Sequence, residues 1–76
     1  MDTEKCAALL CALETGSLSA AAEKCGYTVS GMSRLVLSLE EETGFRLLRR
    51  SRSGVEPTRE CELLLPCLRE LSRWGE

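Results

Sequence analysis

Residues 16–44, GSLSAAAEKCGYTVSGMSRLVLSLEEETG, decide how this chain is read. They divide into two helical segments around a turn at Gly26-Tyr27-Thr28, with a glycine at each outer end. Ser17 is an N-cap candidate, because its hydroxyl oxygen can accept an orphan N–H of the first helical turn. Leu18, Ala21, Ala22 and Cys25 follow at i, i+3, i+4, i+7, one face of a short helix. Gly26 stands where a helix ends in a left-handed residue. Thr28 caps the next segment, in which Met32, Leu35, Val36 and Leu39 make the apolar stripe.

Winding that second segment at about 100° per residue puts Val29, Ser30, Ser33, Arg34 and Leu37 on the opposite face. The residues near its start are small, hydroxylic or cationic. Such an end suits a recognition helix entering a major groove in a helix-turn-helix. The spacing alone fits an ordinary helical hairpin with a solvated face equally well, since this pattern arises often by chance. Gly31 costs the helix about 1 kcal/mol relative to alanine, a cost tolerated where the backbone nears another body. Glu40-Glu41-Glu42 crowd the C-terminal end against the helix dipole and keep that end away from phosphate. The N-terminal half is therefore the half expected to meet DNA.

Before this stretch, Cys6, Leu9, Leu10 and Leu13 predict a first helix from about Thr3 to Thr15, closed by Gly16 and started by acids that suit its dipole. This helix reads as structural. After the stretch the period changes. Residues 45–50 and 55–58 flank Ser51-Arg52-Ser53-Gly54 and read as a β-hairpin, with Pro57 confined to an edge or a last strand position. A hairpin directly after a recognition helix is the wing of a winged helix-turn-helix, and Arg52 near its tip would reach a minor groove or a phosphate. A plain Arg-rich loop is the alternative. Ser17 and Ser19 at the start of the second helix suit a phosphate, or simply a cap satisfied within the protein.

Thr58 is the cap candidate for a last helix running to near Trp74. Its Leu63, Leu64, Leu65, Cys67, Leu68, Leu71 and Trp74 cover an arc of roughly 200°, about twice a core-facing stripe. Half of that arc can pack on the domain and half needs a partner, so a dimer through this helix is expected. The sequence stops in mid-helix, as if cut from a longer chain. The domain division expected is a winged helix-turn-helix over residues 1–58, with the helix-turn-helix at about 18–37 and the wing at about 45–58, then a linker and dimerisation helix over 59–76.

Composition sets the outer bounds. The 76 residues make one small, mainly α domain whose core alone is marginal. The net charge of −2 argues against nucleic acid, but Arg46, Arg49, Arg50, Arg52 and Arg59 face only one acid, Glu56, in their stretch. Clustered cations bind phosphate even when the rest of the surface is acidic. Five cysteines without histidine or a C-x-x-C pair suggest neither a metal site nor a disulfide framework. Cys6, Cys25 and Cys61 fall on apolar faces, whereas Cys11 points away from its stripe and is the one that could be exposed. No histidine and no cofactor-binding glycine pattern are present, so neither an enzyme nor a cofactor is expected. No membrane span and no signal peptide are read, and a cytoplasmic location is the default.

Taken in register, these residues resemble the N-terminal DNA-binding domain of LysR-type bacterial transcriptional regulators, over the whole chain. Gly16-Ser17-Leu18-Ser19-Ala20-Ala21-Ala22 is similar to the family's G-S-[FL]-[ST]-x-A-A. Ser33-Arg34, Leu39-Glu40-Glu41-Glu42 and Gly44 are similar to its S-R-x-I-x-x-L-E-x-x-L-G. Residues 46–50 and 54–58 resemble its wing, and Pro66 sits where many members have a proline. The resemblance implies a winged helix-turn-helix, a linker helix pairing two protomers on inverted-repeat half-sites, and a nucleoid-associated protein. It also implies a small-molecule effector bound by a larger C-terminal domain that is absent from this sequence. It assigns groove contacts to Thr28, Val29, Ser30, Ser33 and Arg34, wing contacts to Arg50, Arg52 and Ser53, and second-helix contacts to Ser17 and Ser19.

Three departures matter. Val29 stands where glutamine is usual, Leu35 where glutamine commonly follows Ser-Arg, and Leu37 at a frequently polar position. Leu37 can touch a thymine methyl but cannot bond a base edge. Specificity then rests more on shape and phosphate contacts. Cys61 replaces a family glycine, which leads us to expect looser or altered packing between the last helix and the rest. The rival reading is a degenerate winged helix that binds a protein partner through Leu35, Leu37 and the last helix.

Overall fold

The computed structural model describes residues 3–74, with side-chain surroundings given through residue 70. The elements are α1 (Thr3–Thr15), α2 (Leu18–Cys25), α3 (Val29–Thr43), β1 (Leu48–Ser51), β2 (Gly54–Pro57) and α4 (Arg59–Trp74). Local chemistry sets the helix ends. Ser17 Oγ accepts the Ala20 N–H at 3.2 Å, and Thr28 Oγ1 accepts the Gly31 N–H at 3.0 Å. Gly26 and Gly44 close α2 and α3 with left-handed φ of 78° and 79°. Thr58 Oγ1 caps α4 by accepting the Cys61 N–H at 3.1 Å, and its hydroxyl donates to the Arg46 carbonyl.

The core gathers around α1, on which α2, α3 and α4 all pack. Three neighbours need a buried arc wider than one stripe, so Ala8, Cys11 and Ala12 are buried along with Cys6 and Leu9. Leu10 and Leu13, at the edge of that arc, are only half-buried. This corrects the expectation for Cys11: α2 covers it, and its thiol lies 3.9 Å from the Ala21 carbonyl. Cys25 instead takes the exposed place, because it ends α2 at the rim of the α1 contact. Met32, Val36 and Leu39 bury the inner face of α3, and Leu35 packs partly against the same core.

The hairpin is a two-stranded antiparallel sheet pairing Leu48 with Pro57 and Ser51 with Gly54. The Thr58 N–H donates to the Leu47 carbonyl at 3.1 Å and closes the base of the hairpin. The hairpin is pinned to the rest at two places. At the first, the Val55 N–H donates to the Gly16 carbonyl at 2.9 Å. Gly54 has φ of 137°, and a Cβ there would lie 1.9 Å from the Gly16 oxygen, so the wing meets the α1–α2 turn backbone to backbone. Glu40 provides the second: its Oε2 accepts the N–H groups of Leu47 and Leu48 at 2.6 and 3.1 Å. The first acid of the Glu40-Glu41-Glu42 run is therefore a fastener between α3 and the hairpin.

On α4, Cys61 and Leu68 are fully buried, and Leu64 and Leu65 pack partly against the core. The looser packing expected from Cys61 is absent. Its thiol fills the interior, and its amide is held by the Thr58 cap. Among the described residues, no helix is long and apolar enough to cross a membrane.

Candidate nucleic-acid interface

The outer face of α3 and the hairpin enclose two adjoining clefts that share Leu18, Arg50 and Val55. One, of about 250 Å³, lies between the start of α2, the start of α3 and the hairpin, lined by Ser17, Ser19, Val29, Arg50, Ser51 and Arg52. The other, of about 200 Å³, runs along α3 and is lined by Ser33, Leu37, Glu40, Arg46 and Arg50. Three sequence-distant segments thus meet because the Gly16–Val55 hydrogen bond and the Glu40 fastener bring the hairpin against α2 and α3.

Seven of the expected contact residues line these clefts: Ser17, Ser19, Val29, Ser33, Leu37, Arg50 and Arg52. Val29 and Leu37 are 46% and 56% exposed, which puts two apolar side chains on the outward face. Ser30 and Arg34 are exposed one turn apart on α3, outside the cleft walls. Ser53 is exposed at the hairpin tip, its Oγ 3.4 Å from that of Ser51. The Ser17 and Thr28 oxygens already accept cap hydrogen bonds. Each keeps a hydroxyl hydrogen for an outside acceptor.

Charge is divided sharply. Lys5 pairs with Glu42 at 3.2 Å, Lys24 with Glu14 at 3.5 Å and Arg49 with Glu56 at 3.1 Å. Among the described residues, Arg34, Arg46, Arg50 and Arg52 make no ion pair. Unpaired guanidiniums beside hydroxyls on a concave face can take phosphate oxygens and base edges. The sequence reading missed Arg46 and Ser51 as cleft residues. Both lie in the quoted hairpin stretch, but only tertiary packing turns them toward α2 and α3.

The residues expected to pair two chains separate on α4. Leu63 is 75% exposed and Cys67 is exposed, whereas Leu64 and Leu65 are half-buried. Leu68 is fully buried in this chain's own core and has no surface to offer a second chain. A helical wheel gives the width of an apolar arc but not which part of it the domain itself takes. Leu71 and Trp74 lie outside the residues whose side chains are described. Leu35, assigned by the rival reading to a partner surface, is packed partly against the core.

A family model described as "Bacterial regulatory helix-turn-helix protein, lysR family" matches residues 3–62. A probable HTH-type transcriptional regulator, LrrA of Synechococcus elongatus, is 44% identical over 57 residues, 75% of this chain and 19% of that protein. A probable nitrogen assimilation transcriptional activator of the same organism is 42% identical over 71 residues, 93% of this chain and 23% of that protein. The chain thus spans about a fifth of the length of these relatives. Among solved structures, the BenM DBD bound to benA site 1 DNA superposes with a TM-score of 0.87 at 29% identity, covering 99% of this chain and 84% of that one. The CbnR DBD–DNA complex gives 0.89 at 25% identity, covering 99% and 86%.

Proposed function

The chain belongs to the LysR family of bacterial regulatory helix-turn-helix proteins, and from that membership and the cleft geometry we propose that it binds duplex DNA sequence-specifically, as a DNA-binding domain of a transcriptional regulator. The observation that carries this reading is the set of unpaired arginines, Arg34, Arg50 and Arg52, around the hydroxyl-lined face of α3 and the wing. The first half of α3 enters a major groove. Arg34 reads a base edge there, with Ser30 and Ser33 on base edges or backbone. Arg50 and Arg52 hold phosphates or reach a minor groove, and Ser53 donates at the tip. Ser17 and Ser19 donate to a phosphate at the N-terminus of α2.

Val29 and Leu37 contribute apolar contact, to thymine methyls where the site offers them. With two such residues on the outward face, fewer base-edge hydrogen bonds are on offer. Discrimination therefore leans on duplex shape more than it would with polar side chains at those positions. Two copies pair through α4, with Leu63 at the contact, and read an inverted repeat. The role is binding, not catalysis.

Selection of bound sequences from a random duplex pool tests the reading. A recovered inverted repeat supports both specific recognition and dimeric geometry. Recovery of an unenriched pool contradicts it and favours the protein-interaction module.

A further inference from the structure

Cys11 and Cys25 line neither cleft, and nothing in the DNA-binding reading uses them. Cys11 lies late in α1 and Cys25 is the last residue of α2, yet their Sγ atoms are 3.0 Å apart. Both are free thiols. A disulfide needs about 2.05 Å between sulfurs, so the pair must close by only about 1 Å. The backbone carrying the two sulfurs is already held across the α1–α2 turn. The Gly16 N–H donates to the Ala12 carbonyl at 2.9 Å, and the single Thr15 hydroxyl lies within hydrogen-bond reach of both the Cys11 and Ser17 carbonyls, at 2.9 and 3.0 Å.

The two thiols differ in access. Cys25 is exposed and Cys11 is buried beneath α2. Burial first, then the hydrogen bond from Cys25 and its charge, pushes the Cys11 thiol up to about 11. A dissolved oxidant therefore meets Cys25, while Cys11 waits behind it as the resolving partner. Cys6 and Cys61 are buried, and Cys67 is the other exposed thiol.

We propose that Cys11 and Cys25 are a dithiol modification site, which a peroxide converts into an intramolecular disulfide that locks α2 onto α1. Cys25 sulfur attacks the peroxide, the O–O bond breaks, and the departing hydroxide takes the thiol proton as water. Cys11 sulfur then attacks the Cys25 sulfenic sulfur and the S–O bond breaks. The second hydroxide leaves with the Cys11 proton as water. Two thiols and one hydrogen peroxide give one disulfide and two waters, with two electrons passing from sulfur to oxygen. The bridge spans 14 positions of sequence and restricts the unfolded chain far more than it moves the folded one.

The test is to treat the reduced chain with a few equivalents of hydrogen peroxide, alkylate it under denaturing conditions and map its peptides by mass. The expected product carries a Cys11–Cys25 cross-link, keeps three of its five thiols alkylable, and reverts with dithiothreitol. Its Tm rises by about 5–10 °C over the reduced chain. The Cys25→Ser chain gains no cross-link and no Tm rise under the same treatment. In the Cys11→Ala chain, Cys25 goes on to sulfinic acid for want of a resolving thiol. The proposal is overturned by Cys25 sulfinic acid beside an alkylable Cys11 in the unsubstituted chain, by bridges between chains through Cys67, or by a cross-link without a Tm rise. None of these readouts involves DNA, so failure here leaves the DNA-binding reading standing, and the reverse.

Discussion

Two regions of the surface handle cations in opposite ways. On the flank formed by α1 with the ends of α2 and α3, lysines are neutralised within the chain, Lys5 by Glu42 and Lys24 by Glu14. On the face shared by α3 and the hairpin, Arg34, Arg46, Arg50 and Arg52 make no ion pair among the described residues. The net charge of −2 describes neither region. What a partner meets is the local field: among the described residues, four arginines without an ion pair lie where two clefts and a helix N-terminus meet, while Arg59 and Arg69 stand apart on α4.

The harshest way to break this contrast is to unseat the wing. Gly54→Ala forces a Cβ against the Gly16 carbonyl from a backbone with φ of 137°. We expect a loss of about 3 kcal/mol or more in urea unfolding, with duplex affinity falling alongside. Arg34→Ala comes next. It should cost roughly 1–3 kcal/mol on a selected site and much less on random duplex. Equal losses on both would reduce Arg34 to a phosphate contact.

A smaller effect concerns the seat of α4. Burial, then the charges of Glu62 and Glu40, pushes the Cys61 thiol from its ordinary 9.0 up to about 11. The folded chain thus holds that proton more tightly than the unfolded one. The stability it contributes is full below pH 9 and is lost as pH rises toward 11. Chemical denaturation across that window should show a shallower decline in Cys61→Ala than in the unsubstituted chain. Smallest is Lys24→Ala on the paired flank. It should change duplex affinity and stability by about 0.5 kcal/mol or less, because an exposed ion pair contributes little.

The two regions also differed in how far sequence could foresee them. Ser17, Gly26, Thr28 and Gly44 act through their own turn of chain, so the helix ends and the outward face of α3 were readable residue by residue. Val29, Ser33 and Leu37 were placed on that face, and the folded-back hairpin then makes them cleft walls. Long-range packing was not readable. Nothing in the periodicity of α1 said that α2 would cover Cys11 and leave Cys25 at the rim. Nor did the wheel of α4 say that Leu68 would be taken into the domain's own core. Glu40 looked like one of three equivalent acids, and its bonds to Leu47 and Leu48 exist only once the hairpin has folded back.

The central claim is that the unpaired arginines beside α3 form the surface that grips a duplex. It is tested most directly by measuring duplex affinity over a series of salt concentrations, for the unsubstituted chain and for Arg50→Ala/Arg52→Ala. The account predicts a steep fall with salt, and a log–log slope shallower by about one for each arginine removed. An unchanged slope in that double variant, together with a reduced one in Lys24→Ala, would contradict it.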